Sequence, residues 1–361
     1  MGRLIIFSKK GMFMMKKRLL ALLCILSLSL VSLTGCGSND GAATESAADE
    51  QTSAAAETAE PVDVNVMALK GPTAMGMVKF MSDVEDGALT DNNYHFSITA
   101  ATDEASAALI QGETDIAAVP ANLASVLYNN TDGGVQVLAI NTLGVLYIVE
   151  NGDSVQSVED LRGKTLYASG KGTTPEYALN YILSANGIDP ASDVTIEWKS
   201  EQAECLAAIQ NDANAIAMLP QPFVTTAQGQ NPDLRVALDL TEEWDKLQAD
   251  SDAPSSLVTG VVVARTDFAK EHPEAVAAFM GHYQDSVDYV NDNVADAAQL
   301  VGGYEIVTAE VAEKAIPACN IVFISGDEMK EKLSGYLSVL YDQNAESVGG
   351  ALPDDAFYYS R

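Results

Sequence analysis

Residues 109–120, LIQGETDIAAVP, and residues 208–220, AIQNDANAIAMLP, share one pattern of a helix end, a turn, a short apolar run and a proline. The apolar run in each copy is bounded by turn residues, which is typical of a buried strand. A proline fits the first turn of the helix that follows, because the first turn of a helix does not use the backbone N–H that proline lacks. The sequence therefore contains a repeated unit of strand and helix.

A second pair of segments repeats upstream of the first. Residues 64–69 lead into a Lys-Gly pair at 70–71, and residues 164–168 lead into another at 171–172. The two Lys-Gly pairs lie 101 residues apart, close to the 100 residues that separate the prolines of the first repeat. This agreement predicts two similar lobes. The alternation of β-rich runs with helical patterns predicts an α/β fold with mostly parallel strands.

Two apolar runs that contain glycine predict where the chain crosses between the lobes. They are residues 143–149 and 258–263, with Gly144 and Gly260 near their starts. The predicted division is lobe I over 62–143 and 261–361, and lobe II over 144–260. Glycine allows unusual backbone angles and close approach, which suits a hinge at these two positions. Ordinary core strands whose glycines relieve packing fit the same residues.

Two lobes of one design place similar loops opposite each other across a cleft. Ligands of open α/β sheets bind beyond the carboxyl ends of the strands, so we expect these loops and the crossings to contact a ligand. The predicted ligand contacts are Lys70, Gly71, Pro72, Thr73, Pro120, Asn122, Thr142, Gly144, Lys171, Gly172, Thr173, Thr174, Tyr177, Gln221 and Thr259.

The loop over 170–175, GKGTTP, has the composition of a cradle for an anion or a carbonyl group. Its glycines let successive N–H groups converge, its threonines add hydroxyl donors, and a helix start follows. It lacks the spacing of a phosphate-binding P-loop. A tight turn capped by Thr173 or Thr174 is the alternative interpretation. Lys70 and Lys171 would add positive charge to the cleft, or would be solvated surface lysines.

The N-terminal segment has the order of a lipoprotein signal peptide. Three basic residues at 16–18 precede an uncharged run of fifteen residues, 19–33, which is short for a membrane span of about twenty residues. The run leads to Leu-Thr-Gly-Cys at 33–36, which resembles the lipobox of bacterial lipoproteins. The expected parts are a signal peptide over 1–35, a lipid anchor on Cys36, and a flexible acidic linker over 36–61 that is rich in Ala, Ser and Thr.

The charge of the chain argues against a nucleic-acid partner. Its 51 acidic residues outnumber its 20 basic ones, which gives a formal net charge of −31. Association with a phosphate backbone needs clustered Lys and Arg, which this composition does not supply. With 47% hydrophobic and 20% charged residues, the bulk of the chain has the composition of an ordinary globular protein.

The sequence contains no recognisable set of residues for catalysis or metal binding. The three histidines, His95, His272 and His282, form no His-x-x-x-His or His-Glu-x-x-His pair, and Gly-x-Ser-x-Gly is absent. We expect no enzymatic activity, no cofactor and no metal. Cys205 and Cys319 either form one disulfide or stay as two buried thiols, since no Cys-x-x-Cys spacing supports a redox or metal site.

Two further segments resemble the bacterial solute-binding proteins of ABC importers, in the branch for nitrate, sulfonates, taurine and thiamine-precursor pyrimidines. Residues 157–164, SVEDLRGK, are similar to the segment with which that family enters its second lobe. Residues 268–279, FAKEHPEAVAAF, are similar to the helix that follows the return to the first lobe. The resemblance implies a two-lobed periplasmic-binding-protein type II fold with a hinge between similar lobes.

The same resemblance implies a function and partners. A small organic solute, a sulfonate or taurine-like anion or a thiamine-precursor-like heterocycle, would bind between the lobes and be delivered to an ABC permease and its ATPase. The protein would be a monomer, held outside the cytoplasm by the lipid on Cys36. The alternatives are an extracytoplasmic enzyme or pyrimidine-forming relative of the same fold, and a ligand module of a sensory receptor.

Overall fold

A computed structural model describes residues 60–211, 214–249 and 255–360. The predicted signal peptide, Cys36 and nearly all of the predicted linker lie outside these ranges. The described strands are β1 Asp63–Leu69, β2 Asn93–Thr99, β3 Ile116–Pro120, β4 Val135–Leu143, β5 Leu146–Asn151, β6 Thr165–Ser169, β7 Thr195–Lys199, β8 Ile216–Pro220, β9 Leu234–Asp239, β10 Val258–Arg265 and β11 Ile321–Ile324.

Helices follow most of the strands, as the alternating sequence pattern predicts. The first seven are α1 Pro72–Met75, α2 Val78–Glu85, α3 Thr102–Gln111, α4 Ala121–Asn130, α5 Thr174–Ala185, α6 Gln202–Asn211 and α7 Phe223–Gln230. The others are α8 Leu240–Gln248, α9 Thr266–Glu271, α10 Pro273–Asp292, α11 Val294–Gly303, α12 Ala309–Ala315 and α13 Gly326–Gln343. Short 3-10 helices occupy Val158–Leu161, Ile316–Ala318, Ala345–Val348 and Asp355–Phe357. No helix within the described ranges has both the length and the apolar character that a bilayer span requires.

The strands form two sheets of the same design, which confirms the α/β fold with two similar lobes. The first sheet has the order β11-β4-β10-β3-β1-β2, and the second has the order β7-β6-β8-β5-β9. Each strand of the second sheet has a counterpart in the first: β6 matches β1, β7 matches β2, β8 matches β3, β5 matches β10, and β9 matches β4. With these matches, each strand has the same neighbours in both sheets. Val66 pairs with Ile116 in the first sheet, and Leu166 pairs with Ile216 in the second. We call the first sheet with its helices lobe I and the second lobe II.

The strands are mostly parallel in direction, as expected, since β1 to β4 point one way in the first sheet and β6 to β9 point one way in the second. β1 runs parallel to β2 and β3, and β6 runs parallel to β7 and β8. In contrast, β10 is antiparallel to β3 and β4, β11 is antiparallel to β4, and β5 is antiparallel to β8 and β9. The reason is the crossing between lobes: β5 and β10 each enter a sheet from the other lobe, so each runs against its neighbours.

The chain crosses between the sheets twice. β4 ends at Leu143 and β5 begins at Leu146, so two residues carry the first crossing. The second crossing runs from α8 to β10, whose first residue is Val258. Residues 258–260 therefore pair within the first sheet, three residues before the predicted start of the second part of lobe I.

One apolar core extends through both lobes. It includes Val119 and Val261 from the first sheet, Met218 from the second sheet, and the side chains of Trp244 and Tyr336, all at most 1% exposed. A second core packs α2 and α10 against the opposite face of the first sheet. The shared core places the lobes in apolar contact beside the crossings.

Candidate functional site

The carboxyl ends of the parallel strands lie at one edge of each sheet. In the first sheet β1, β3 and β4 end at the edge where β10 begins, and in the second β6, β8 and β9 end where β5 begins. We call these the cleft edges. Because residues 144–145 alone connect β4 to β5, the two edges are adjacent at the crossing. This is the position at which open α/β sheets bind ligands.

Buried polar side-chain atoms without a hydrogen-bond partner gather at the cleft edges. In the described residues they are Asn141 Nδ2 and Oδ1, Thr142 Oγ1, Gln202 Oε1, Thr241 Oγ1, Thr259 Oγ1 and Tyr283 OH. Leaving such a group unpaired costs about 1–3 kcal/mol, so native proteins keep few of them. Asn141, Thr142, Thr241 and Thr259 lie close to the crossings in the chain, whereas Gln202 follows β7 at the far side of the second sheet.

Asn141 and Tyr283 lie close together behind the edge of lobe I. Burial raises the pKa of Tyr283, and the nearby side chain of Asn141 opposes that effect. The geometry still falls short of a hydrogen bond for either side chain. At Gly260, an added Cβ would lie 2.6 Å from Asn141 Oδ1 and 2.7 Å from Thr73 Cγ2, so both side chains pack directly against this glycine. Asn141, Thr73 and Gly260 therefore form one packed corner of the edge.

Gly144 and Gly260 are both required by close packing. A Cβ at Gly144 would lie 2.1 Å from Thr241 Oγ1 and 2.9 Å from Leu257 Cδ2. Neither glycine is among those with a positive φ, so a side chain is excluded by space and not by backbone angle. The packing interpretation of these glycines thus has direct support, while their role as hinges stays a prediction.

The predicted residues after β1 are placed at the start of α1. Gly71, with φ 138°, precedes the helix, and Pro72 occupies its first turn. The Thr73 hydroxyl donates to the backbone oxygen of Leu69 at 2.7 Å. Lys70 is exposed at the end of β1. This segment lies at the cleft edge of lobe I, as the sequence predicts.

The loop over 170–174 is paired within itself. The N–H of Gly172 donates to Glu176 Oε2 at 2.6 Å, and the Thr173 hydroxyl donates to the backbone oxygen of Gly170 at 2.6 Å. The side chain of Lys171 is exposed beside Trp198, in a groove of lobe II that does not include the crossings. The structure thus corresponds to the tight turn, although Thr173 makes no side-chain cap, and the Lys171 side chain lies in a groove away from the crossings.

Asn122 and Thr174 contact each other across the lobes. The hydroxyl of Thr174 donates to Asn122 Oδ1 at 3.2 Å and accepts from the Tyr336 hydroxyl at 3.1 Å. Pro120, the last residue of β3, precedes α4 and Asn122. Both predicted contacts are therefore occupied by neighbouring side chains of the chain itself.

The remaining predicted residues differ in whether their polar groups are free to contact a ligand. Gln221 Oε1 accepts from the N–H of Thr225 at 3.3 Å and from its hydroxyl at 2.9 Å. The backbone oxygen of Tyr177 accepts from Gln343 Nε2 at 3.1 Å. Thr142 and Thr259 keep unpartnered hydroxyls at the edge of lobe I. Of the predicted set, these two threonines have buried hydroxyls without a hydrogen-bond partner in the described residues.

Asn141, Thr241 and Tyr283 were not predicted from the sequence. Asn141 had a visible signal, since it and Thr142 interrupt an otherwise apolar run over 137–149. Tyr283 lies inside the long helix α10 and Thr241 at the start of α8. No local pattern marks either of them, because only the tertiary packing brings them to the cleft edges.

Several surface cavities lie away from the cleft edges. One of about 790 Å³ is lined by Glu60–Val62, residues 90–92 and residues 271–275, at the opposite edge of the first sheet. The described residues include no group of three or more His, Cys, Asp or Glu side chains with a geometry for a metal ion. The cleft edges, and not these cavities, hold the unpartnered polar groups.

The two described cysteines are separate buried thiols. Cys205 and Cys319 are each 0% exposed and unbonded to one another. Burial raises the pKa of Cys205 to about 11 and that of Cys319 to about 12. The interpretation as two buried thiols therefore corresponds to the structure.

Comparison with known proteins agrees with this architecture. A family model described as ABC transporter, phosphonate, periplasmic substrate-binding protein matches residues 80–311. Comparison with curated proteins gives no match.

Solved structures share the fold at low sequence identity. An ABC transporter structure from Parabacteroides distasonis is 23% identical, with a TM-score of 0.69 over 82% of this chain and 99% of that chain. The periplasmic aliphatic sulphonate binding protein SsuA from Escherichia coli is 14% identical, with a TM-score of 0.66 over 83% and 92% of the two chains. The alkanesulfonate-binding protein SsuA from Xanthomonas axonopodis pv. citri, bound to MOPS, is 14% identical, with a TM-score of 0.59 over 82% and 96%.

The family model covers more than half of the chain and includes both crossings between the sheets. The resemblance to solute-binding proteins of ABC importers, inferred from residues 157–164 and 268–279, is thereby confirmed. This chain belongs to the family of periplasmic substrate-binding proteins of phosphonate ABC transporters.

Proposed function

We propose that this protein is the lipid-anchored substrate-binding component of an ABC importer, and that it captures a small organic oxyanion of the phosphonate or sulfonate type between its lobes. The observation that carries the proposal is the group of buried, unpartnered polar atoms at the cleft edges. A bound solute with several oxygens would supply the partners that these atoms lack.

The chemistry of the group suits an oxyanion. Thr142, Thr241 and Thr259 each have one O–H to donate, and Asn141 adds an amide N–H₂. Neutral donors can hold an anion in a site that excludes water, where each hydrogen bond to a charged oxygen is stronger than one between neutral groups. Lys70, exposed at the adjacent strand end, would contribute a positive charge. A net acidic protein can in this way present a locally favourable cleft.

Titration calorimetry with chemically matched ligands tests the class of solute. The panel is methylphosphonate, methanesulfonate, inorganic phosphate and an uncharged aminopyrimidine. We expect saturable binding of at least one of the organic oxyanions and none of the pyrimidine. Binding of the pyrimidine alone would favour the heterocycle that the sequence also allows, and would contradict the proposal.

Thr142→Val tests the site itself through two effects of opposite sign. The substitution keeps the shape of the side chain but removes an unpartnered hydroxyl, so we expect the ligand-free protein to gain about 1 kcal/mol of stability. The same change removes a donor to the ligand, so we expect affinity to fall about tenfold. Thermal unfolding and calorimetry measure the two effects separately.

Thr165→Val is the matched control, because Thr165 is an exposed strand residue at the far end of β6. It should change neither property. A loss of stability in Thr142→Val with unchanged affinity would mean that the hydroxyl serves the fold and not a ligand.

The lipid anchor is tested on Cys36 directly. Cells grown with a labelled fatty acid should incorporate label into the native chain but not into Cys36→Ser, and the variant should leave the membrane fraction. Labelling that persists in Cys36→Ser would place the anchor elsewhere or remove it from the proposal.

We also propose that the protein binds its solute without converting it. Phosphorus NMR of methylphosphonate incubated with the protein should show a bound signal and no product. Cells that need the solute for growth should stop growing on it when the partner permease is removed. This result would distinguish import from a sensory role.

A further inference from the structure

Thr174 is the centre of a buried relay of hydrogen bonds. It is the first residue of α5 and is 3% exposed. The hydroxyl of Tyr336 donates to Thr174 Oγ1 at 3.1 Å, and Thr174 Oγ1 donates in turn to Asn122 Oδ1 at 3.2 Å. Asn122 Nδ2 donates to the backbone oxygen of Ser347 at 3.2 Å, which fixes its Oδ1 as the acceptor. The relay therefore has a single direction, from Tyr336 to Asn122.

The relay joins parts of the chain that belong to different lobes. Asn122 lies in α4, directly after β3 of the first sheet, while Thr174 follows β6 of the second sheet. Tyr336 lies in α13, which packs on β4, β10 and α4 of lobe I and also on α5 of lobe II. A rotation that separates the lobes would break the contact between Asn122 and Thr174.

The surroundings of the relay are apolar. Tyr336 is 0% exposed and its ring centroid lies 5.7 Å from that of Trp244, which in turn lies 4.5 Å from the ring of Tyr181. Leu333, Leu337 and Leu340 of the same helix are fully buried. In a low-dielectric environment each hydrogen bond is stronger and an unpaired hydroxyl is more costly, so the relay favours contact between the lobes.

We propose that Tyr336 is a positioning residue that holds the lobes in contact through Thr174 and Asn122, and so sets the fraction of ligand-free protein that is already closed. The apparent affinity of a ligand is reduced in proportion to the fraction of protein in the competent form. Tyr336 would thus control affinity without touching the solute. The affinity part of this inference rests on the proposed function, while the conformational part does not.

Tyr336→Phe in the full chain tests the relay, because it removes the hydroxyl and keeps the ring. We expect the radius of gyration of the ligand-free variant, measured by small-angle X-ray scattering, to exceed that of the native chain. Affinity for methylphosphonate should fall about fivefold, the equivalent of one hydrogen bond. Thr174→Val should give the same changes, and the double variant should add little to either, because both break one relay.

Tyr341→Phe is the matched control, since Tyr341 lies on the same helix and is 36% exposed. It should leave scattering, affinity and unfolding temperature unchanged. A merely structural role for Tyr336 predicts a lower unfolding temperature with native scattering and native affinity, and that result would overturn the proposal. If methylphosphonate fails to bind the native chain, the proposed ligand class fails, and the scattering of the ligand-free variants still decides the relay.

Discussion

The hydroxyl of Tyr147, in the first strand of lobe II, donates a hydrogen bond of 2.9 Å to the backbone oxygen of Ala318 in lobe I. Two residues further along lobe I, the backbone oxygen of Asn320 accepts from the N–H of Leu143 at 3.1 Å, and its side chain donates to the oxygen of Gly144. Asn320 adopts a left-handed backbone with φ 44°, which asparagine tolerates better than most residues. The segment over 318–320 thus holds the first crossing from one side.

Tyr147→Phe should loosen this side of the crossing. We expect the free energy of unfolding to fall by about 1 kcal/mol, since one buried hydrogen bond is lost and the oxygen of Ala318 is left to find another donor. Chemical denaturation measures the change. Tyr167→Phe, on a neighbouring region of the same sheet, keeps its ring contact with Lys199 and should have a much smaller effect. Equal effects of the two variants would show that the contact with Ala318 has no special role.

Gly144→Ala should destabilise the protein by overpacking. The added methyl would lie 2.1 Å from Thr241 Oγ1, and overpacking in a filled core costs about 1–3 kcal/mol. Thr241→Ala in the same chain should recover part of the loss, because it removes the nearest atom. Gly281→Ala is the control: it lies exposed in α10 with nothing within 4 Å, so it should be neutral or slightly stabilising. A flexible hinge requirement, in contrast, would leave Gly144→Ala unrescued by Thr241→Ala.

Glu150 gives the stability of lobe II a defined dependence on pH. Its side chain is 1% exposed and pairs with Arg235. Burial alone would raise its pKa, but hydrogen bonds from the N–H of Val155, from Ser154 and from Arg235, together with the positive charge of Arg235, outweigh burial and lower the pKa. A lowered folded pKa stabilises the protein above the ordinary value for Glu of about 4.3, and this contribution is lost as the pH falls below that value.

Glu150→Gln should therefore lower the unfolding free energy by about 2 kcal/mol at pH 7 and by less at pH 3. Thermal unfolding across this pH range measures the difference. Glu310→Gln, at a surface pair whose carboxylate side chain is 82% exposed, should show almost no effect at either pH. A loss that is independent of pH in Glu150→Gln would contradict the assignment of the charge as its cause.

Cys205 and Cys319 should resist alkylation in the folded protein. Both are fully buried, and burial holds the pKa of Cys205 near 11 and that of Cys319 near 12, so little thiolate is present at pH 8. Mass spectrometry of their peptides should find no iodoacetamide adduct under native conditions and complete labelling of both in denaturant. Failure to label after unfolding without a reductant would reveal a disulfide, against the structure described here.

The repeat in the sequence predicted the architecture because it reflects local pairing. The 100-residue offset between Pro120 and Pro220 reappears as the same register, Val66 with Ile116 and Leu166 with Ile216. Strand direction was less accessible. Parallel order was expected from alternating strands and helices and holds for β1 to β4 and β6 to β9, but β5 and β10 arrive from the opposite lobe and run against them.

The sequence predicted where the candidate site lies, but only some of the residues that form it. Thr142 and Thr259 were expected at the cleft edges, and both keep unpartnered hydroxyls there. The glycine-rich loop was expected to offer donors to a ligand, but Glu176 occupies the N–H of Gly172. Which donor meets which acceptor depends on side-chain directions that residue type and spacing do not specify.

The sequence by itself determined the repeated α/β design, the two crossings near Gly144 and Gly260, and an acidic chain unsuited to nucleic acid, because these follow from periodicity, spacing and charge. Only the tertiary structure decided that Asn141, Thr241 and Tyr283 converge on the cleft edges, and that Asn122 and Thr174 bond to each other. Convergence of this kind is a matter of packing between elements far apart in the chain. The type of a residue does not reveal which distant residue will become its hydrogen-bond partner, or whether it will have a partner at all.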